Sequence, residues 1–508
     1  MSVDLRELPT GWQWTDLETL AGSDGVVSDG DWVESKDQNP SGKVRLLQLA
    51  DVGEQKFINK SKRFMDSARA DEMNCLFLNK GDLLIARLGD PVGKACTLPE
   101  QPQRCVTVVD VMVFRACKIA METQNYVAYA INSPRIRNRI NEQLSGTTRK
   151  RITGKKLKKT LFPLPPLEEQ ERIVDKIDEL FSGIEAGERA IEQARAGVAR
   201  YRKAILKAAV TGELTADWRD ENPTEESAKD LLARILTARF EAWETSELAK
   251  LDAKGKARPE TEKQWEKFRA RYKPPVKPFT DGYSEVPESW INTTVDQLSE
   301  FITSGSRGWA KYYSDTGAVF VRVGNLNRSS VEIDFEKLQF VSPPDGAEGA
   351  RTRLVLNDIL ISITADVGMV GVFRDQYSEA YINQHVALVR VPDEVNQDWI
   401  SWAIVSPTKQ QEILGTGRGA TKDGLTLSDL RELVVPFPPE SEQVEIVNRV
   451  EQALSKADAV EATLDAQSRA AKALKQAVLK TAFEGKLVPQ NPKDEPASEL
   501  LKRIKAAS

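Results

Sequence analysis

The chain has a single histidine, His385, in 508 residues, and only four cysteines, Cys75, Cys96, Cys105 and Cys117. The cysteines show no CxxC spacing, so a Cys/His metal centre and a His-dependent triad both lack material. The thiols are expected to be buried, and His385, in a predicted strand, to be structural. No apolar run is long enough to suggest a membrane-spanning helix. The opening MSVDLRELPTGWQW has no basic stretch followed by an apolar one, so no secretory signal is expected and the chain is placed in the cytoplasm. Neither GxxxxGK[ST] nor HExxH occurs. GTGRGA at Gly415 follows a predicted helix instead of a strand, so it is taken as a turn. LPPL and FPPE lack the Asp or Asn before the prolines, and the aromatic after them, that an adenine methyltransferase pocket uses. These absences argue against a self-contained active site.

Charge of one sign is also missing overall. The net charge is −5 at 40% hydrophobic and 29% charged residues, the composition of an ordinary globular protein of roughly three or four domains. A nucleic-acid partner would therefore have to be met by a local basic patch.

What is present is a repeat. LFPLPPLEEQERIVDKI at Leu161 is matched by VVPFPPESEQVEIVNRV at Val434. Pro436 lies 273 residues after Pro163, and the same offset joins Gln170 to Gln443, Ile173 to Ile446, and AILKAAVTGEL at Ala204 to AVLKTAFEGKL at Ala477. Upstream, VMVFR matches VALVR, GDLLIA matches NDILIS, LLQLADV matches FVRVGNL and LPTGW matches VPESW. One long unit is written twice, and such a repeat decides the architecture before any local pattern does.

Each unit opens with short apolar runs bounded by Gly, Pro, Asp and Asn, which read as strands and turns, followed by helices such as QNYVAYAINSP and QDWISWAIVSP. The globular parts, residues 1–162 and 286–435, are therefore mixed α/β and the class is α+β. Each unit closes with a helix, placed in segments 163–214 and 436–487. Apolar residues step by fours and threes through Ile173, Ile177, Leu180 and Ile184 to Ile205, and again through Ile446, Val450, Ala453 and Ala457 to Val478, a heptad seam. Both helices start after a Pro-Pro pair and stop at a glycine. About 42 residues at ~1.5 Å each give about 63 Å. Neither stripe can stay exposed, so the two are expected to pair antiparallel as a coiled coil about a pseudo-two-fold axis; a parallel homodimeric coil is the alternative. Residues 215–285, charged, helical and then Lys- and Pro-rich, read as a solvated connector or a docking surface. DLLARI at Asp230 is echoed by ELLKRI at Glu499 in the tail, 488–508.

A doubled reader suits a doubled ligand, and DNA half-sites are the commonest of these. GTTRKRITGKKLKK at Gly146 carries Arg149, Lys150, Arg151, Lys155, Lys156, Lys158 and Lys159 with no acid, enough to contact several phosphates; a solvated loop is the bland alternative. The matched loop, GATKDGLTLSDLRE, keeps only Lys422 and Arg431 and adds acids, which weakens the case that this position must be basic; the candidates there are Arg418 and Lys422. In the second unit TSGSRGWAKYYS offers Ser306, Arg307, Trp309, Lys311 and Tyr312, where an arginine is suited to guanine. The corresponding loop of the first unit has Trp32, Ser35 and Lys36. Phosphate positioning is expected of the lysines more than base readout. Arg87, Lys94 and Asp366 are weaker candidates.

With DGDWVESKD, SGSRGWAKYYS, ITADVG, INQHVALVR and the paired PLPPLEEQ and PFPPESEQ, essentially the whole chain resembles the specificity subunit of type I restriction-modification enzymes. The resemblance implies a non-catalytic subunit with two target recognition domains, each reading half of an asymmetric bipartite double-stranded DNA site, separated by two long antiparallel coiled-coil helices. It implies partners that carry the chemistry: two methyltransferase subunits with S-adenosylmethionine, and endonuclease/translocase subunits with ATP and Mg2+. No cofactor is expected in this chain, and no membrane. A coiled-coil scaffold without DNA readout, or a stand-alone methyltransferase or nuclease, are the rival readings.

Overall fold

A computed structural model describes residues 8–146, 149–279, 285–343, 347–374, 377, 379–415 and 424–507. Four helices organise it: α1 (Leu167–Thr211), α2 (Ala228–Ala253), α3 (Glu440–Phe483) and α4 (Ala497–Ala507). The chain divides into two compact units, residues 1–193 with 464–508, and residues 194–463.

In the first unit an antiparallel sheet has the order Val26–Asp29, Val111–Arg115, Leu83–Ala86, Ala95–Thr97. Leu83–Ala86 is buried on both faces, which is why it reads as an unbroken apolar run. A smaller sheet sets Val44–Leu47 between Phe64–Met65 and Cys105–Thr107, the latter pair parallel. The chain enters and leaves through one ladder, Gln13–Thr15 against Phe162–Leu164.

The second unit repeats this plan. Its sheets are Phe301–Ser304, Val386–Arg390, Ile359–Ser362, Val370–Val372, and Tyr313–Ser314, Phe340–Val341, Ala318–Val321, Ala380–Ile382. Ile291–Thr294 and Val434–Phe437 form its gate. Buried polar contacts recur with the sequence repeat. Arg115 grips Asp82 at 2.6 Å and Arg390 grips Asp358 at 2.7 Å. Tyr126 Oη donates to the Pro163 carbonyl at 2.7 Å, and in the second unit Trp399 Nε1 donates to that of Pro436 at 3.1 Å.

The long helices begin alike because Gln170 and Gln443 donate back to the carbonyls of Pro165 and Pro438, at 2.8 and 2.9 Å. They end at Gly212 and Gly485, both with positive φ, where a left-handed residue satisfies the last carbonyls. A Cβ there would also strike Pro287 or Pro9. Within each unit the helices run antiparallel. In the first, Lys475 pairs with Glu188 at 2.8 Å while Arg172 pairs with Asp494 at 2.6 Å. In the second, Arg202 pairs with Asp458 and, at 3.0 Å, with Glu461, while Arg219 reaches Glu442 at 2.8 Å. The intrachain pairing therefore holds, with one correction: the heptad seam is not covered along its whole length. Tyr201, Val460 and Leu474 lie exposed, since a helix of 3.6 residues per turn rotates a strict 3.5-residue stripe out of a straight contact.

The start of the 215–285 segment is not a solvated linker. Ala228, Leu231 and Ile235 of α2 are buried in the core of the second unit with Val295 and Leu298. In the first unit Ala497, Leu500 and Ile504 of α4 do the same against Leu17 and Leu20. The echo of DLLARI in ELLKRI is one covering helix per unit.

One paired feature differs in strength. Glu442, fully buried, accepts from Trp290 Nε1 at 2.7 Å, Thr215 Oγ1 at 2.7 Å and Arg219 at 2.8 Å. Its counterpart Glu169 accepts from Trp12 Nε1 at 3.0 Å and has no hydrogen-bond partner for its other oxygen among the described residues, and burial pushes its carboxyl above the usual range. Glu442→Ala strands a guanidinium and is expected to cost the second unit about 3–5 kcal/mol. Glu169→Ala is expected to cost the first only about 1–2 kcal/mol. Urea unfolding followed by hydrogen exchange in each unit measures both; equal costs would refute the assignment.

Candidate nucleic-acid interface

The residues singled out for DNA contact fall into exposed ones and ones the fold has already engaged. In the first unit the strand Val26–Asp29 runs on into Trp32, whose side chain is 70% exposed and whose Nε1 lies 3.4 Å from Glu34. Ser35–Asp37 is a single 3-10 turn. Asp37 caps it by accepting from Glu34 N at 3.0 Å and is held by Arg69 at 2.9 Å; those hydrogen bonds lower its pKa. Ser35 is exposed. Lys36 is exposed too but pairs with Glu34 at 2.8 Å, so its charge is offset locally.

The basic segment is tethered at its middle. Arg151 exchanges backbone hydrogen bonds with Ser145 at 2.9 and 3.0 Å, and Ile152 N donates to Arg87 O at 3.0 Å. Arg149, Lys150, Arg151 and Lys155 remain exposed, and none forms an ion pair among the described residues. Lys156 Nζ donates to the Gln143 carbonyl at 3.1 Å, and Lys159 lies 3.6 Å from Glu18. Arg149 and Lys150 share a groove of about 980 Å³ with Leu88 to Val92, Asn141 and Leu144. That groove brings the LGDPVGK turn and the basic segment together. Arg87 is mostly buried and already engaged: it sits between Asp29, at 3.1 Å, and the carbonyl of Val109, at 2.5 Å. There it ties the strand leading to Trp32 to the turn opposite.

In the second unit Arg307 is exposed, and Lys311 lies over the ring of Tyr312 at 4.8 Å. Trp309 requires a correction. It is 3% exposed, stacked on Phe320 with centroids 5.1 Å apart and planes at 8°, with Tyr381 beside it. A ring so enclosed cannot stack on a base; it anchors the loop from beneath. The chain can fold back this tightly because Gly305 lies against Asn383, where a Cβ would come within 2.1 Å of the carbonyl oxygen. Ser306 is likewise engaged, accepting from Arg351, which also donates to Ser304 O at 2.8 Å. Arg418 and Lys422 lie outside the described residues.

Asp366 faces Arg328 at 3.8 Å, and Arg328 donates to Gln410 at 3.2 Å; neither Arg328 nor Arg351 carried a motif in the sequence. Lys94 is half-buried. His385 contacts Thr364 and Gln384. The four thiols are buried, and burial pushes Cys75 up to about 11 and Cys96 up to about 12. Among the described residues no group of three or more His, Cys, Asp or Glu is placed to hold a metal ion. A cavity of about 1080 Å³ in the second unit is lined by Trp243, Tyr272, Leu356 and Arg390 and by none of the predicted contact residues.

A family model described as type I restriction modification DNA specificity domain matches residues 29–193 and 348–467. The type I restriction enzyme EcoBI specificity subunit of Escherichia coli is 27% identical over 414 residues, covering 77% of this chain and 74% of that protein. The EcoKI specificity subunit of Escherichia coli strain K12 is 23% identical over 396 residues, 75% and 71% of the two chains. A solved structure concerned with complex assembly and conformational transition of the type I R-M system superposes with a TM-score of 0.61 at 19% identity, over 95% of this chain and 100% of that one. That likeness is one of fold.

Proposed function

Since the chain belongs to the type I restriction-modification DNA specificity family, we propose that each of its two mixed α/β domains reads one half of an asymmetric, bipartite DNA site. It is the non-catalytic, sequence-specific DNA-binding subunit that directs the methyltransferase and endonuclease of such a complex. The observation that carries the two-reader proposal is a scaffold repeated down to its buried hydrogen bonds, with different side chains at matched surface loops. Trp32, Ser35 and Lys36 stand where the second unit has the loop of Arg307, Lys311 and Tyr312, and Arg149 to Lys156 where it has Arg418 and Lys422. The exposed cations position the duplex through its phosphates, and the residues between them meet base edges.

Two methyltransferase subunits, binding S-adenosylmethionine and modifying adenine, dock on the repeated helices; translocating endonuclease subunits, using ATP and Mg2+, join them. The domain limits 1–162 and 286–435 are part of this proposal. No described helix is long and apolar enough to cross a membrane, and a complex acting on the genome belongs in the cytoplasm.

A genome-wide map of N6-methyladenine, with and without the gene, tests this. Loss of one asymmetric motif split by a fixed unspecified gap is the expected result. A map that stays unchanged while the partner methyltransferase is active would favour a scaffold without DNA readout.

A further inference from the structure

One strongly charged surface of the first unit has no place in the sites above. Residues 55–63, QKFINKSKR, contain Lys56, Lys60, Lys62 and Arg63 and no acid. All four cations are exposed, and none forms an ion pair among the described residues. A stretch of this kind is ordinarily a solvated loop. This one is fixed from below by Asp51, which is completely buried. The Asp51 carboxylate accepts from Lys60 N at 2.7 Å, from Ser61 N at 2.8 Å and from the Ser61 hydroxyl, and Arg45 approaches it at 3.4 Å. Its own carbonyl takes Ile58 N at 2.9 Å. The loop and the strand after it also meet the residues that follow the Trp32 to Lys36 turn. Arg63 reaches Gln38 at 3.5 Å, and Asn39 donates to Asp66 at 2.9 Å.

The second unit contains the same device with other chemistry. Asn325 stands for Asp51, its carbonyl takes Asp334 N at 2.8 Å, and its Nδ2 donates to Asp334 O at 2.8 Å. The register is set by the neighbouring strand: Leu46 N donates to Arg63 O at 2.9 Å as Phe320 N donates to Gln339 O at 2.8 Å. Lys60, Lys62 and Arg63 therefore correspond to Glu336, Leu338 and Gln339. The clamp is common to both units, whereas the second unit's loop carries one cation, Lys337 opposite Ser61, among the acids Glu332, Asp334 and Glu336.

We infer that Lys60, Lys62 and Arg63, presented by the buried Asp51 clamp beside the Trp32 turn, form a phosphate-binding track for one DNA strand in the first domain. The inference rests on the DNA reading proposed above. It assigns the track to backbone contact, because flexible lysines neutralise phosphates without distinguishing bases. It also makes the two domains unequal: the first holds DNA more by charge, and the second has no such track at its corresponding loop.

The experiment uses the full chain co-purified with its methyltransferase partner and measures affinity for a mixed-sequence DNA duplex across a salt series. For K60Q/K62Q/R63Q the slope of log affinity against log salt is expected to shrink by about 2 to 3, at about 0.9 per phosphate contact, with a loss of about tenfold or more at physiological salt. K60R/K62R/R63K should keep the slope, which separates charge from folding. K254Q/K256Q/K263Q, removing three exposed cations elsewhere, should leave it unchanged. An unaltered slope in the first variant, an equal loss in the control, or a changed methylation motif overturns the phosphate track. If the unaltered complex binds the duplex with no dependence on salt, the DNA reading fails along with it.

Discussion

Removal of residues 491–508 is expected to destabilise the first unit by about 4–6 kcal/mol, although chain ends ordinarily tolerate truncation. Leu500 and Ile504 are 3% and 2% exposed, and Ala497 is as deeply buried. At about 1.5–3 kcal/mol for each large aliphatic side chain, their loss uncovers Leu17 and Leu20 as well. Polar ties go with them. Asp494 no longer receives Arg172, the Ala497 N–H no longer reaches Gly11 O at 2.9 Å, and Ser23 loses the Ala507 carbonyl at 3.1 Å. A loss of this size is a large share of ordinary domain stability. Hydrogen exchange is the measurement of choice, because two units unfolding separately do not give one defined midpoint. Amide protection in Leu83–Ala86 should fall by several hundredfold or more while that in Ile359–Ser362 is kept. Unchanged protection in the first strand refutes the role given to α4.

Exchange of residues 1–162 for the corresponding part of another specificity subunit is expected to replace one half of the methylated motif completely and leave the other half intact. The graft must keep what faces the retained helices. Tyr126 packs on Phe483 with centroids 5.1 Å apart, and Tyr129 packs edge-on to Phe181 at 5.8 Å. A donor lacking aromatics at these positions opens cavities at a cost of about 3–5 kcal/mol, so Tyr126 and Tyr129 should be carried over. The readout is the adenine methylation map of the chimera. A motif altered in both halves ends the two-reader proposal.

The sequence carried the architecture well because the architecture is repetitive. Offsets of 273 residues survive as superimposable hydrogen bonds, such as those of Gln170 and Gln443, and the Pro-Pro starts and glycine stops work through local backbone physics. The surface was harder to read. Trp309 sits in a glycine-flanked basic loop and looks like a reader, yet two non-local neighbours, Phe320 and Tyr381, enclose it. Arg87 looks like a turn cation, yet Asp29, from a distant strand, claims it. Composition records the charge of a side chain and says nothing of the partner it meets. Asp51 was invisible for the same reason. Its ligands are backbone N–H groups nine and ten residues on, a relation with no residue-type signature, and a two-residue slip between the units hides the correspondence of Lys60 with Glu336. The role of α2 could be suspected from DLLARI and ELLKRI, but only burial shows that the echo is a shared packing position.

The placement of α4 also sets an order of events during synthesis. The second unit is contiguous, residues 194–463, so all of it has been made before the ribosome reaches α4. The first unit begins earlier but cannot close until α4 emerges, and until then Leu17 and Leu20 lack their cover. The domain translated first is thus completed last, a reversal of the usual vectorial sequence in which N-terminal domains fold ahead of C-terminal ones. A nascent chain stalled short of residue 497 carries a finished second unit and an open first one. In the cell, interrupted translation yields a species that is half native and exposes an apolar face, the kind of product that quality control removes.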